Sequence, residues 1–481
     1  MEPPSLQPKP GEITPLTSFA SSVSFGDDKG SQSNSLPHPP LSQNYRLYHR
    51  RWLILLTYSL INFSNGWVWT TWSPLTALLT EYWDVTVNAV DALSGVYMFV
   101  FVPTNIFSMW LVVNYLGLRR GLQFGAFLNM LGTLVKYKVD WFLGGLTDYK
   151  IKYMGVFLCA LSQAFILPMV ALLAGNWFGE RERATATSLG SMAFQLGSLF
   201  GLASTVVVDF RDETSGKLDQ NKFDQYMQLQ WVVASLALLL ALVTVNKDRP
   251  DHPPSEAAAA LAQNVLSTNY TESIRMIMAS PSSQTFFFVF GMVVGSFYAI
   301  PAFLSQFMPS WSPRSQGALG GIFQVAAVSG CMATGRLVSF WNLQYKKVSL
   351  FLLKGCLVSV ALYLLSVWLQ SYLAMIACAG MGFFFASFMT VGIEFGTSLT
   401  FPADEAAVYG ILDSTGELWG FVLVTLGGTL SREHLDVTYC CILVALVSLS
   451  FGLLWQLKPL IRRPSIMSSA NSLVMESSLT F

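Results

Sequence analysis

Long apolar runs recur along almost the whole of this 481-residue chain. A helix needs roughly 20 residues to cross a hydrocarbon layer about 30 Å thick, and most of the runs reach that length. We place the twelve runs at 52–80, 88–115, 118–136, 152–175, 184–209, 229–246, 285–308, 315–341, 346–369, 372–397, 405–430 and 436–457. The pattern predicts an all-α membrane protein with twelve transmembrane helices.

The low charge content supports lipid as the medium around these helices. Charged residues make up 12% of the chain and the mean hydropathy is +0.48, whereas soluble domains carry about 25% charged residues. The 14 Trp and 17 Tyr suit a protein with two bilayer interfaces. A formal net charge of zero gives no reason to expect a nucleic-acid partner.

The runs fall into two groups of six, separated by a polar stretch. Two six-helix halves joined by a central loop are typical of secondary transporters built from repeats. We therefore predict a six-helix bundle at 46–246, a central cytoplasmic loop at 247–284 and a second bundle at 285–458. The Pro- and Ser-rich tails, 1–45 and 459–481, are predicted to be disordered cytoplasmic segments.

Basic residues favour a topology with both termini in the cytoplasm. With the N-terminus inside, sixteen Lys and Arg residues fall on the cytoplasmic side and nine on the other. The third inter-helix loop runs against this rule, because four lysines lie there: Lys136, Lys138, Lys150 and Lys152.

The turn after the second run contains Asn114, Gly117, Arg119 and Arg120. It resembles the loop signature of the major facilitator superfamily, in which an acidic residue precedes glycine and basic residues. Gly117 allows a tight reversal, and the arginines can contact helix C-termini or a carboxylate. Asn114 replaces the acidic residue, which weakens a salt-bridge gate. The alternative is a basic turn that only fixes the topology.

Polar and aromatic residues near the middle of four runs are candidate substrate ligands. They are Trp69, Gln195, Tyr298 and Glu417, two from each half. Two rings, an amide and a carboxylate together could surround a cationic head group. Taken one at a time, the rings also fit a packing role and Gln195 an interhelical hydrogen bond. An unpaired Glu417 at that depth would be costly.

Two further carboxyl groups have candidate mechanistic roles. Asp413 lies one helical turn before Glu417 and shares its face. Adjacent carboxylates in a low dielectric do not both ionise easily, so proton coupling through Asp413 and Glu417 is one hypothesis. The competing one is that Asp413 pairs with Lys354. Glu394 lies toward the end of its run, where we predict a capping or gating role.

Segments spread over nearly the whole membrane region resemble the feline leukaemia virus subgroup C receptor-related transporters, a branch of the major facilitator superfamily. They are Arg50–Trp52, Ser64–Trp69, Asn176–Gly179, Thr185–Thr187, Phe194–Gly197, Gly295–Tyr298, Glu394–Phe395 and Phe401–Pro402. The stretch Trp67–Pro74 is similar to the family's disrupted-in-renal-carcinoma branch. The resemblance implies the major facilitator fold.

The resemblance also implies a substrate site. In choline-transporting members, a tryptophan on helix 1 and a tyrosine on helix 7 hold the ammonium group, with glutamines on helices 5 and 11 nearby. The corresponding positions are Trp69, Tyr298, Gln195 and Glu417. The carboxylate of Glu417 stands where those carriers have an amide, so this chain could prefer a charged amine more strongly or couple transport to protons.

We therefore predict a facilitative or proton-linked carrier of a small organic cation, choline or ethanolamine first. A carrier of haem or pyridoxine is the alternative, although all four histidines lie in predicted tails or loops. A receptor that binds without translocating is a second alternative. The predicted spans contain no HExxH, GxSxG or Walker pattern, so we expect no enzyme.

We expect no metal, no cofactor and a monomer in the lipid bilayer. The motif at Glu12–Leu16 resembles an endolysosomal sorting signal only weakly. We favour the plasma membrane and keep the lysosomal membrane as the alternative.

Overall fold

The computed structural model describes residues 45–138, 148–204, 208–212, 216–255, 258, 270–304, 307–308, 311, 313–341, 344–401, 403–432 and 436–457. These residues form helices almost throughout. The predicted tails, 1–45 and 459–481, lie outside the described residues except for position 45.

The first half contains α1 (Arg50–Thr70), α2 (Thr76–Trp83), α3 (Val87–Leu111), α4 (Gly117–Lys138), α5 (Asp148–Ile166), α6 (Met169–Trp177), α7 (Glu180–Leu202) and α8 (Gln220–Thr244). A five-residue π-helical segment, Val112–Leu116, joins α3 to α4. The second half contains α9 (Tyr270–Ala279), α10 (Pro281–Phe303), α11 (Pro313–Phe340), α12 (Tyr345–Leu369), α13 (Leu373–Thr400), α14 (Glu405–Arg432) and α15 (Asp436–Gln456).

Every predicted apolar run coincides with helix, but the runs differ from the helices in detail. The first run is divided between α1 and α2 by a short 3-10 turn at Ser73–Leu75. The fourth is divided into α5 and α6 just before Met169, where Pro168 has no backbone N–H to continue the ladder. The stretch predicted as the central loop contains the ten-residue helix α9.

Helices α3 and α4 run antiparallel, as their hydrogen bonds with α5 demonstrate. Ser108 on α3 donates to the backbone oxygen of Ala164, whereas Tyr149 reaches the other end of α3 at Ala89. On α4 the order is inverted, since Ser162 pairs with Gly125 and Lys152 with Lys136. The chain therefore reverses at Gly117, whose φ of 68° favours glycine.

The two halves repeat the same packing. In the first half α1 packs against α7 and α8, α5 against α3 and α4, and α4 against α8. In the second half α10 packs against α14 and α15, α13 against α11 and α12, and α12 against α15. The halves meet through α7 with α11 and through α3 with α14. This is the arrangement expected of two structural repeats facing each other.

Close approach depends on glycine in the equivalent helix pairs of the two halves, α1 with α7 and α10 with α14. A Cβ atom on Gly197 of α7 would lie 2.9 Å from the backbone N of Trp67 on α1. A Cβ atom on Gly295 of α10 would lie 2.7 Å from the backbone N of Gly420 on α14. Small residues at such crossings let helices pack backbone to backbone in lipid.

Large apolar side chains cover the outside of the bundle. Phe99, Val243 and Trp368 are each about 70% exposed, and an apolar surface of this kind would promote aggregation in water. Seven described stretches are long and apolar enough to span a membrane: Ala89–Lys138, Asp148–Trp177, Gln220–Thr244, Pro281–Pro301, Tyr345–Leu369, Leu373–Thr400 and Asp436–Gln456. The first of these contains α4 and most of α3. The count of twelve crossings stays a prediction.

Two of the four lysines assigned to the third inter-helix loop lie inside the bundle instead. Lys136 is fully buried on α4, where its Nζ donates to Gln230 Oε1 at 2.7 Å and lies 5.4 Å from the ring centre of Trp72. Lys152 pairs with Asp148 at 3.1 Å. Both amines have partners within helices and are not charges of a free loop. They therefore count less as evidence against a topology with both termini in the cytoplasm.

Candidate functional site

Trp69 and Tyr298 meet where the two halves face each other. Trp69 is the penultimate residue of α1, and Tyr298 lies within α10. Their ring centres are 6.3 Å apart at an interplanar angle of 83°, an edge-to-face contact. Phe194 of α7 stacks on the ring of Trp69, with the ring centres 5.6 Å apart and an interplanar angle of 25°. Two aromatic rings from the first half and one from the second thus form a single cluster.

The two carboxyl groups of α14 lie beside this cluster. Tyr298 Oη donates to Asp413 Oδ1 at 3.0 Å. One turn further along α14, Glu417 Oε1 accepts from Gln163 Nε2 of α5 at 3.5 Å. Asp413 and Glu417 are each 3% exposed. Both halves therefore contact the acidic face of α14.

The alternative partner for Asp413 is not the one found. Lys354 on α12 places its Nζ over the ring of Phe451 on α15, 5.9 Å from the centroid. Asp413 instead accepts from Tyr298. The hypothesis that Asp413 pairs with Lys354 is therefore wrong in this conformation, because α12 presents Lys354 toward α15 and not toward α14.

Gln195 is engaged by a second amide across the interface. Gln324 Nε2 of α11 donates to Gln195 Oε1 at 2.9 Å and to the backbone oxygen of Gln195 at 3.3 Å. Both side chains are buried. A second polar link joins α3 to α14, where Asn105 Nδ2 donates to Gly410 O at 2.5 Å and to Ser414 Oγ at 2.8 Å.

A charged cluster connects the halves at the end of the bundle where α1 begins, which we call the basic end. Arg183 of α7 forms an ion pair with Glu405 of α14, and its Nε lies 3.8 Å from Glu394 Oε2 of α13. Thr187 Oγ1 donates to Glu394 Oε1 at 2.9 Å. Glu394 lies well inside α13, which ends at Thr400, so its carboxylate does not cap the helix but bridges the two halves.

The turn around Gly117 also lies at the basic end. Asn114 Nδ2 donates to Trp110 O within its own helical segment at 2.9 Å, and a gating role for Asn114 stays a prediction. The acidic partner comes from elsewhere, because Asp248 Oδ1 accepts from the backbone N of Arg119 at 2.7 Å. The side chains of Arg119 and Arg120 are exposed, and a cavity of about 410 Å³ borders the turn.

The family model described as Major Facilitator Superfamily matches residues 58–424 of this chain. That span includes the central cluster and the basic-end cluster. The chain belongs to the Major Facilitator Superfamily. It is an integral, multi-pass membrane transporter, and the predicted major facilitator fold is confirmed.

Curated relatives extend the similarity along the chain. The choline/ethanolamine transporter flvcr2a of Danio rerio is 29% identical over 393 residues, which cover 80% of this chain and 81% of that protein. The MFS-type transporter C09D4.1 of Caenorhabditis elegans is 27% identical over 390 residues, 80% of this chain but 65% of that longer protein. The resemblance to the feline leukaemia virus subgroup C receptor-related transporters is confirmed.

Solved major facilitator structures share the architecture. The proton:xylose symporter XylE superposes with a TM-score of 0.64 at 15% identity, covering 85% of this chain and 95% of XylE. At that identity the likeness concerns the fold alone.

Within this major facilitator fold, the structure gathers Trp69, Tyr298, Asp413 and Glu417 at the interface of the halves, while Gln195 is held by Gln324. Sequence reasoning missed the residues that contact this central group, Phe194, Gln163 and Gln324. It also missed the residues that form the basic-end cluster with Glu394, which are Arg183, Thr187 and Glu405. Gln163 and Gln324 were detectable as amides inside apolar runs, the same signal that singled out Gln195. The assignment of substrate ligands stays a prediction.

Proposed function

We propose that this transporter carries a small organic cation, choline or ethanolamine first, by alternating access between its two halves. The contact that carries the proposal is the one between Trp69 and Tyr298, at 6.3 Å, beside Asp413 and Glu417. Aromatic rings attract an ammonium group and carboxylates balance its charge. Relatives named as choline/ethanolamine transporters support the same substrate class.

We propose that the basic end faces the cytoplasm, that both termini lie there, and that Arg183, Glu394 and Glu405 form the gate on that side. This cluster links α7 to α13 and α14, so the halves cannot separate at the basic end without breaking it. Asp248 holds the turn at Gly117 to the segment that follows α8. In this proposal, Arg119 and Arg120 set the topology.

Proton coupling through Glu417 and Asp413 belongs to the same proposal. A carboxyl group that binds a cation in its ionised form loses that affinity when it is protonated. A proton and the substrate cation therefore compete for this pair, and an outward proton flux can accompany inward cation movement. Acting as a monomer in the plasma membrane, the protein would need no resident cofactor for this cycle.

Uptake measurements test the proposed function. Labelled ethanolamine, choline and pyridoxine are supplied to proteoliposomes containing the purified protein, at two external pH values. We expect saturable accumulation of the two amines above that in empty liposomes. Accumulation of pyridoxine alone would move the substrate to another class. Saturable binding without accumulation would identify a receptor and overturn the transport proposal.

A further inference from the structure

Three buried oxygen atoms at the central site accept no hydrogen bond from the described part of the chain. They are Glu417 Oε2, Asp413 Oδ2 and Gln163 Oε1. Each belongs to a side chain that is at most 3% exposed. A buried acceptor without a donor is unfavourable, and more so when it is charged. A site with several such acceptors is therefore suited to a ligand that brings donors.

The three atoms belong to one locus. Gln163 and Glu417 are hydrogen bonded to each other across the halves, and Asp413 precedes Glu417 by one helical turn on α14. The acceptors thus come from α5 of the first half and α14 of the second. A small ligand between the halves can contact both sources, as alternating access requires.

Two donors that contact these carboxyl groups, and two cations on neighbouring helices, already have other partners. Tyr298 Oη donates to Asp413 Oδ1, and Gln163 Nε2 donates to Glu417 Oε1. The Arg183 guanidinium is ion paired with Glu405 at the basic end. The Lys354 ammonium lies over Phe451. None of these four side chains donates to the three acceptors.

The aromatic rings of the site have few faces left to contact a ligand. A quaternary ammonium ion, which has no N–H, depends on ring faces for its binding. Phe194 stacks on Trp69 at an interplanar angle of 25° and so covers one face of its indole ring. Tyr298 meets Trp69 edge to face and directs its hydroxyl to Asp413. The rings therefore offer a partial cage.

We propose that this transporter selects ammonium substrates that carry N–H donors, primary or secondary amines, over quaternary ones. The N–H groups hydrogen bond to Glu417 Oε2, Asp413 Oδ2 and Gln163 Oε1, while Trp69 and Tyr298 line the remaining side. This selectivity rests on the proposed function, because it concerns the same site. A site built to hydrogen bond a substrate group discriminates strongly against an analogue that lacks the group.

A methylation series tests the proposal. Ethanolamine, N-methylethanolamine, N,N-dimethylethanolamine and choline carry progressively fewer N–H donors on the same carbon skeleton and the same positive charge at neutral pH. Proteoliposome uptake is measured for each, and kcat/KM is compared. We expect kcat/KM to fall stepwise along the series, by roughly tenfold or more from ethanolamine to choline.

Matched variants connect the selectivity to the acceptors. Glu417→Gln removes one acceptor charge and adds an N–H donor, so the ethanolamine-to-choline ratio of kcat/KM should fall toward one. Asp91→Asn is the control, because Asp91 is an exposed carboxylate on α3, and it should keep the wild-type ratio.

The outcomes are distinguishable. A flat series, or choline as the best substrate in the wild type, overturns the selectivity proposal while leaving transport of organic cations intact. A flat series would also indicate that protons on the carboxyl groups, and not substrate N–H groups, satisfy the acceptors. Failure to accumulate any of the four amines overturns the proposed function itself.

Discussion

Tyr298 connects the two chemical features of the central site. Its ring makes an edge-to-face contact with Trp69 of the opposite half, and its hydroxyl donates to Asp413. The same residue therefore fixes the position of an aromatic surface and of an acidic group. Substitutions at Trp69 and at Glu417 therefore test the contribution of the ring and that of the carboxylate charge separately.

Replacing Trp69 with alanine should raise KM for both ethanolamine and choline. The indole contributes a cation–π contact of about 0.5–2 kcal/mol, so the expected rise is roughly 2- to 30-fold. The matched control is Trp368→Ala, because Trp368 on α12 is 69% exposed on the outside of the bundle. Equal KM values for Trp69→Ala and the wild type would disprove a role for the ring in binding.

Replacing Glu417 with glutamine should flatten the pH dependence of amine uptake. In the wild type, raising the external pH removes the competing proton, so uptake should rise with external pH. Gln163 is hydrogen bonded to this carboxyl group, and Asp413, Tyr298 and Tyr409 interact with it electrostatically; all four remain in the variant. Uptake by proteoliposomes with fixed internal pH is the measurement. A pH profile like that of the wild type would remove Glu417 from any proton role.

At the scale of helices, the aromatic cluster depends on how closely α1 approaches α7. Trp69 follows Trp67 on α1, and the backbone at Trp67 touches Gly197. Phe194, which stacks on Trp69, lies one turn before Gly197 on α7. A change in the separation of these two helices therefore moves both rings of the stacked pair.

A Gly197→Ala substitution should destabilise the protein. The added Cβ would lie 2.9 Å from the Trp67 backbone N, so α1 and α7 must separate. Overpacking of this kind costs about 1–3 kcal/mol. Thermal unfolding in detergent provides the readout, with Gly452→Ala on α15 as the control, since a Cβ there meets no atom within 4 Å. Equal Tm values for the two variants would contradict the close-packing argument.

At the scale of the whole molecule, two sets of polar contacts between the halves stand out among the described residues, in addition to the link from Asn105 to Gly410 and Ser414. The central set joins Gln163 to Glu417 and Gln195 to Gln324. The basic-end set joins Arg183 to Glu394 and Glu405. Opening at the basic end must break the second set, so its stability sets the balance between conformations.

Neutralising Arg183 should therefore slow transport. An Arg183→Gln variant leaves the buried Glu394 carboxylate and the partly buried Glu405 carboxylate without their cation, which is strongly unfavourable, and we expect the uptake rate to fall at least roughly tenfold. The charge swap Arg183→Glu with Glu405→Arg should restore part of the rate.

The control for Arg183 is an ion pair confined to one half. Arg51 of α1 pairs with Glu182 of α7 at 3.0 Å, so Arg51→Gln removes a comparable charge without affecting the interface between halves. Uptake rates of the purified variants in proteoliposomes are compared at equal protein. If Arg51→Gln slows uptake as much as Arg183→Gln, and the swap restores nothing, the gate assignment fails.

The sequence by itself determined the medium, the helical class and the two-half arrangement. Long apolar runs need only their own length and composition to specify lipid-spanning helices, because each helix satisfies its backbone hydrogen bonds internally. Trp69, Tyr298, Asp413 and Glu417 could be selected for a related reason: aromatic or ionisable groups stand out against an apolar run.

Only the tertiary structure decided which side chains face one another. A helix that is apolar on nearly all sides gives little information about its rotation, so Gln163 opposite Glu417 and Gln324 opposite Gln195 could not be paired from the sequence. The acidic partners Asp248 and Glu405 come from segments remote in the chain from Arg119 and Arg183. Their contacts arise from the packing of one helix against another, which no local pattern encodes.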